Sequence, residues 1–73
     1  MGELVRRLLG RDQVIATWSS SEPGSYDAAA AALRHELEQG HTAARADGEK
    51  LESVTELPED AELVVVTTAM GGG

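Results

Sequence analysis

A chain of 73 residues allows one domain, and a small one, which buries only about 60% of the surface that its unfolded form exposes. It holds no cysteine and no phenylalanine, so disulfides, thiolate metal sites and a thiol nucleophile are excluded and the core must be aliphatic, with Trp18 and Tyr26 as the only aromatics. A net charge of −7 argues against nucleic acid and anionic membrane as partners and favours a basic partner surface, although an ordinary acidic soluble domain carries such a charge too.

Residues 3–9 and 13–18 read as two strands around Gly10-Arg11-Asp12. Val14, Ala16 and Trp18 alternate with Ile15 and Thr17 at period 2, and the short glycine-containing connection predicts a hairpin. Trp18 is expected in the core, which has no other large residue to fill it; an exposed tryptophan would be a partner contact. Ser19 to Gly24 is a loop with Glu22-Pro23-Gly24 as breaker. Ser25 or a neighbour then caps a helix running to about Gln39. Tyr26, Ala29, Ala30, Leu33 and Leu37 form one apolar stripe, five consecutive alanines favour the helix, and Gly40 stands where a C′ glycine ends it. Asp27, Arg34 and Glu38 lie on the polar face.

Beyond Gly40, residues 41–46 predict a short strand ending at the Asp47-Gly48 turn, and residues 50–53 a second extended piece. Leu57-Pro58-Glu59-Asp60 is a turn. Residues 61–68 form the last strand, β-branched and apolar on both faces, as in the middle of a sheet. The order is ββαββ, an α+β domain in which one amphipathic helix packs across one face of a mixed sheet of four or five strands. The chain then ends in Gly71-Gly72-Gly73. Such a tail is thin, carries a free carboxylate and can thread an enzyme channel closed to bulkier termini; a fraying end is also glycine-rich.

That order, with a helix after an N-terminal hairpin and glycines after the last strand, resembles the β-grasp fold of ubiquitin. Gly10 stands in the first hairpin as a glycine does in ubiquitin, and Glu22-Pro23 precedes the helix as a Glu-Pro pair does there. Asp47-Gly48-Glu49-Lys50-Leu51-Glu52, followed by Leu57, resembles its glycine–x–x–leucine–glutamate segment and later leucine. Gly72-Gly73 match the terminal diglycine. The resemblance implies a β-grasp domain over residues 1–70 with a flexible tail at 71–73. There are departures. Ubiquitin's receptor-binding isoleucine falls on or near Arg45, between Ala44 and Ala46. Its arginines before the tail are replaced by Thr68-Ala69-Met70, so an activating enzyme would read a neutral tail. The segment between Leu57 and the last strand is shorter. The ending is also similar to that of the bacterial sulfur carriers of molybdopterin and thiamine synthesis.

The resemblance implies a bacterial ubiquitin-like modifier, not an enzyme but the substrate and carrier of one. A partner activating enzyme would use ATP to adenylate Gly73, Gly72 and Gly71 would supply reach and low bulk, and a thioester relay would end in an isopeptide on a target amine. The implied partners are that enzyme, a conjugating enzyme, a deconjugating protease and the target proteins. The alternatives are a sulfur carrier using a C-terminal thiocarboxylate and a non-conjugated β-grasp interaction domain. Lys50, the only lysine, lies beside ubiquitin's main linkage lysine in this alignment and is either a chain-linkage acceptor or an exposed turn residue. Five arginines against that one lysine fit a high-GC bacterial genome, or a protein with few acceptor sites of its own.

Other chemistry is poorly supported. His35 and His41 are six apart and do not share a helix face at metal-ligand spacing, so no metal is expected. No catalytic residue and no bound cofactor are expected. Ser19-Ser20-Ser21 lacks the elbow glycines of a hydrolase nucleophile, and Gly10 and Gly48 lack P-loop spacing. No apolar run approaches the roughly 20 residues that span a bilayer. Met1-Gly2-Glu3-Leu4-Val5-Arg6-Arg7 is too short and charged for a signal peptide and, with Arg6 at the Ser/Thr position, fails the myristoylation pattern. A cytoplasmic location is expected.

Overall fold

The computed structural model describes residues 1–8 and 10–68. Six elements follow in chain order: β1 (Gly2–Leu8), β2 (Arg11–Trp18), α1 (Ser25–Glu38), β3 (Thr42–Asp47), β4 (Lys50–Val54) and β5 (Leu63–Thr67). The strands form one mixed sheet in the order β2-β1-β5-β3-β4, with β1 and β5 parallel and the other pairs antiparallel. The helix packs across one face, giving an α+β architecture of the β-grasp kind.

β5 takes the central position because Val64 and Val66 bury against the helix side while Val65 is buried on the opposite face. Leu4 on β1, Ala43 on β3 and Ala29 and Leu33 on α1 join Val64 and Val66 in the inner core, which Trp18, Leu57 and Ala61 close at one end. Leu57 belongs to the connection from β4 to β5. Its carbonyl accepts the Tyr26 hydroxyl, which ties that connection to the first turn of α1.

The helix stripe is as its spacing predicts, with Ala29 and Leu33 buried and Tyr26, Ala30 and Leu37 half-buried. At its start the cap falls on the neighbour of Ser25 and not on Ser25 itself. Gly24 is the N-cap and no side chain caps the helix. The Ser25 hydroxyl instead donates toward the carbonyls of Ser19 and Glu22 and accepts the Ser19 amide, so it fastens the loop rather than the helix end. The helix stops at a Schellman arrangement: the Gly40 amide bonds the Leu37 carbonyl and the His41 amide bonds the Glu36 carbonyl, with Gly40 at φ 91°.

β2 also departs from simple alternation. Leu4 pairs with Ala16 but Val5 pairs with Val14, so Ile15 is an extra residue in the ladder. The bulge turns Val14 onto the open face of the sheet, where it is 54% exposed, and lets both Ile15 and Ala16 reach the core. Val14 therefore does not share a face with Ala16 and Trp18, because period 2 holds only while the ladder is unbroken.

Gly2 sits directly opposite Trp18, and the indole lies over its backbone. A Cβ at Gly2 would stand 2.2 Å from the indole Cζ2 and 2.7 Å from the Ala61 carbonyl oxygen. Gly2→Ala should therefore cost about 1–3 kcal/mol, the range for overpacking a core. Urea unfolding followed by Trp18 emission checks this, since the chain has no other tryptophan. An unchanged midpoint would contradict the close packing of Trp18 on β1.

Candidate functional site at the exit of the central strand

The glycines singled out by sequence, Gly71, Gly72 and Gly73, lie outside the described residues, as do Ala69 and Met70. The fold nevertheless fixes where that segment begins. β5 runs parallel to β1 and antiparallel to β3, and its last residue, Thr67, pairs with Arg7 on one side and Thr42 on the other. The chain thus leaves the sheet at the end carrying the β1–β2 hairpin, the C-terminus of α1 and the start of β3.

That end is held by a charged cluster that the sequence reading missed. Arg6 alternates with Leu4 and so faces α1. Its Nε donates to Glu36 Oε1 at 3.0 Å and its Nη2 to Oε2 at 2.6 Å, a two-pronged pair between strand and helix. The Schellman turn brings His41 to the same carboxylate, with Nδ1 3.1 Å from Oε1. Glu36 is buried, its side chain only 4% exposed, while that of Arg6 keeps 30% exposure. The Arg6 hydrogen bonds, helped by His41, hold the Glu36 carboxyl below its ordinary value against the opposing effect of burial. The same pair keeps the Arg6 guanidinium protonated beyond its ordinary range. One carboxylate thereby joins β1, α1 and the entry to β3 around the base of the tail.

Glu36→Gln should destabilise the fold by about 1–3 kcal/mol at neutral pH, the range for hydrogen bonds to charged groups, because Arg6 loses its counter-ion but still reaches water. The acid limb should change as well. A carboxyl that ionises more readily folded than unfolded contributes fully above its unfolded value and loses that contribution as pH falls through its lowered folded value. Urea midpoints measured from pH 7 down to pH 3 should therefore fall less steeply for Glu36→Gln than for the parent. Parallel curves would remove the cluster from the stability of this end.

The remaining predicted residues are scattered. Lys50 is exposed, pairs with Asp47 at the start of β4 and lies at the opposite end from the tail exit. Arg45 is half-buried and points to the helix side, with Nη1 3.5 Å from Asp60 Oδ1, while Ala44 and Ala46 face the open side. That open face carries Val14, Val5, Leu63, Val65, Ala44, Ala46 and Leu51, the last 64% exposed. Two clefts flank Tyr26, of about 430 Å³ beside Leu33, Arg34 and Leu57 and about 280 Å³ beside Trp18 and Glu59; neither borders the tail exit. His35 is exposed, whereas His41 is half-buried against Glu36. Among the described residues no helix is long and apolar enough to cross a membrane.

Comparison of the chain with protein-family models, with curated proteins and with solved structures finds no match.

Proposed function

We propose that this chain is a ubiquitin-like protein modifier that reacts through the carboxylate of Gly73. The observation that carries the reading is the position of β5. The central strand of a β-grasp-like sheet ends at Thr67, six residues before the C-terminal glycine, so the tail starts from the best-anchored strand of the domain. The local matches to ubiquitin support it: Gly48 turns β3 into β4, and Leu57 is buried beneath Tyr26.

A carboxylate is a poor acyl donor, because its leaving group is oxide. In the proposed sequence a Gly73 carboxylate oxygen attacks the α-phosphorus of ATP on the partner enzyme, and pyrophosphate leaves. A partner cysteine thiolate attacks the acyl carbon of the resulting anhydride, and AMP leaves. A target amine then displaces the thiol and loses a proton, giving the amide. This chain supplies the acyl group, and the partner supplies the nucleophile and the ATP site. ATP is thus a partner's substrate here and not a cofactor of the domain.

The uncharged Thr68-Ala69-Met70 before the glycines favours a second reading, sulfur transfer, in which hydrosulfide attacks the acyl carbon, AMP leaves and loss of the sulfur-bound proton gives a thiocarboxylate. One measurement separates the two. An N-terminally tagged chain is purified from its native host and the mass of every species is taken. Cyanogen bromide cleavage after Met70 leaves a three-glycine remnant on any modified lysine. Proteins bearing that remnant establish the modifier and name its targets. A sulfur-for-oxygen mass increase on the free chain establishes the carrier. Unmodified chain alone, in a host shown to contain the activating enzyme, sinks both.

A further inference from the structure

The net charge of −7 is not spread evenly over the fold. The half that carries the tail exit holds Arg6, Arg7, Arg11 and Arg34 against Asp12, Glu36, Glu38 and Glu56, the last lining one cleft with Arg34, so four cations face four carboxylates. The opposite half holds nine carboxylates, on the start of β1, the β2–α1 loop, the first turn of α1, the β3–β4 hairpin with β4, and the later part of the β4–β5 connection. They stand against Arg45 and Lys50 alone. These counts leave no net charge at the tail end and −7 at the other, which together restore the total. The seven residues of β1 separate the two poles by about 20 Å, more than two Debye lengths at physiological salt. A partner at the tail exit is therefore largely screened from the acidic pole.

Tail length decides what such a partner must touch. Six residues follow Thr67, and they span at most about 20 Å when fully extended. An enzyme that encloses the Gly73 carboxylate in an active site consequently rests against the surface from which the tail emerges. The uncharged tail leaves charge recognition to that surface. Arg7, beside Thr67 in the ladder, has a half-exposed side chain whose ion pair with the exposed Asp12, at 3.5 Å, contributes little. Arg11 is exposed at the hairpin and makes no ion pair among the described residues.

We propose that Arg7 and Arg11, on the β1–β2 hairpin beside the tail exit, dock an acidic surface at the mouth of the enzyme that activates the C-terminus. This rests on the modifier reading and adds the partner's chemistry to it. The acidic pole points away from that enzyme, so the charge asymmetry orients the chain tail-first during encounter.

The test uses the full chain with a fluorophore at its N-terminus, ATP and extract of the native host. It follows the thiol-reducible adduct on a non-reducing gel as a function of chain concentration. Arg7→Glu/Arg11→Glu should raise the half-saturating concentration about tenfold at an unchanged plateau, and added salt should weaken the parent but not this variant. Arg7→Gln/Arg11→Gln should show a smaller shift in the same direction, and Glu59→Gln/Glu62→Gln at the far pole should shift by less than about twofold, as expected for screened charges. Unfolding followed by Trp18 emission confirms that each variant is folded. Equal half-saturation for the parent and both arginine variants overturns the docking surface while leaving the modifier reading standing. Absence of any ATP-dependent adduct with the parent chain overturns the reading and the surface together.

Discussion

Removing Gly72 and Gly73 should abolish every covalent adduct of this chain while leaving its unfolding midpoint unchanged. The two halves of that expectation have separate causes. Stability resides in the sheet, the helix and the Leu57 connection, and the central strand ends at Thr67, well before the deletion. Reactivity resides in the position of one carboxylate. Truncation leaves Gly71 as the new terminus, with its acyl carbon about 7 Å short of its former reach at two residues' length. Catalysis by positioning tolerates far less, since a misplacement of about 1 Å can cost about a hundredfold. The truncated chain should therefore yield less than about a thousandth of the parent's adduct or thiocarboxylate in the mass measurement described above. Parent-like biological activity after truncation, with the unfolding midpoint preserved, would instead assign the chain to non-conjugated β-grasp interaction domains.

The architecture was legible because local signals agree with one another. An alanine-rich amphipathic stripe, a glycine at C′ and a β-branched strand apolar on both faces each have one structural solution, and these solutions fit a single sheet with a single helix. Ends of elements were less legible. Residues 61 and 62 were expected in the last strand, but Ala61 instead closes the core below Trp18 and β5 begins at Leu63. β2 begins two residues earlier than its pattern suggests, since a hairpin ladder continues through Arg11 and Asp12 once they find partners in Leu8 and Arg7.

The two chemical features at the tail exit were hidden for different reasons. Glu36 lies three residues beyond Leu33 and seven beyond Ala29, on the buried stripe, but a glutamate at such a position reads as surface unless its partner is known. The available signal was Arg6, which alternates with Leu4 and so requires an inward-facing counter-charge. The charge asymmetry was invisible in the chain order, because acids and bases interleave along it. Parallel pairing of β1 with β5 and the antiparallel return of β2 and β3 gather the excess acids at one end.

Leu33→Ala should be the most damaging single substitution in the domain, at about 3–4 kcal/mol within the range for deleting a buried leucine side chain. Leu33 is fully buried, with Leu4, Val64 and Val66, and is the largest core side chain that the helix contributes. Few neighbours can move to fill the space, because Val64 and Val66 are β-branched and fixed by ladders on both sides, and Ala29 and Ala43 are too small. A domain of this length has about 4–11 kcal/mol of stability to lose, with small domains toward the lower end. The variant should thus populate its unfolded form measurably without denaturant, with a large loss in urea midpoint and raised protease sensitivity. Leu51→Ala is the matched control. It removes the same atoms from an exposed position and should change stability by less than about 0.5 kcal/mol. A loss below about 1 kcal/mol for Leu33→Ala would mean that the helix does not seal this face of the sheet. The consequence reaches function, since the tail is presented by β5, and β5 is held on its inner face by the helix that Leu33 anchors. Adduct formation by Leu33→Ala should therefore fall with temperature in step with its folded fraction, whereas the tail deletion abolishes it at every temperature.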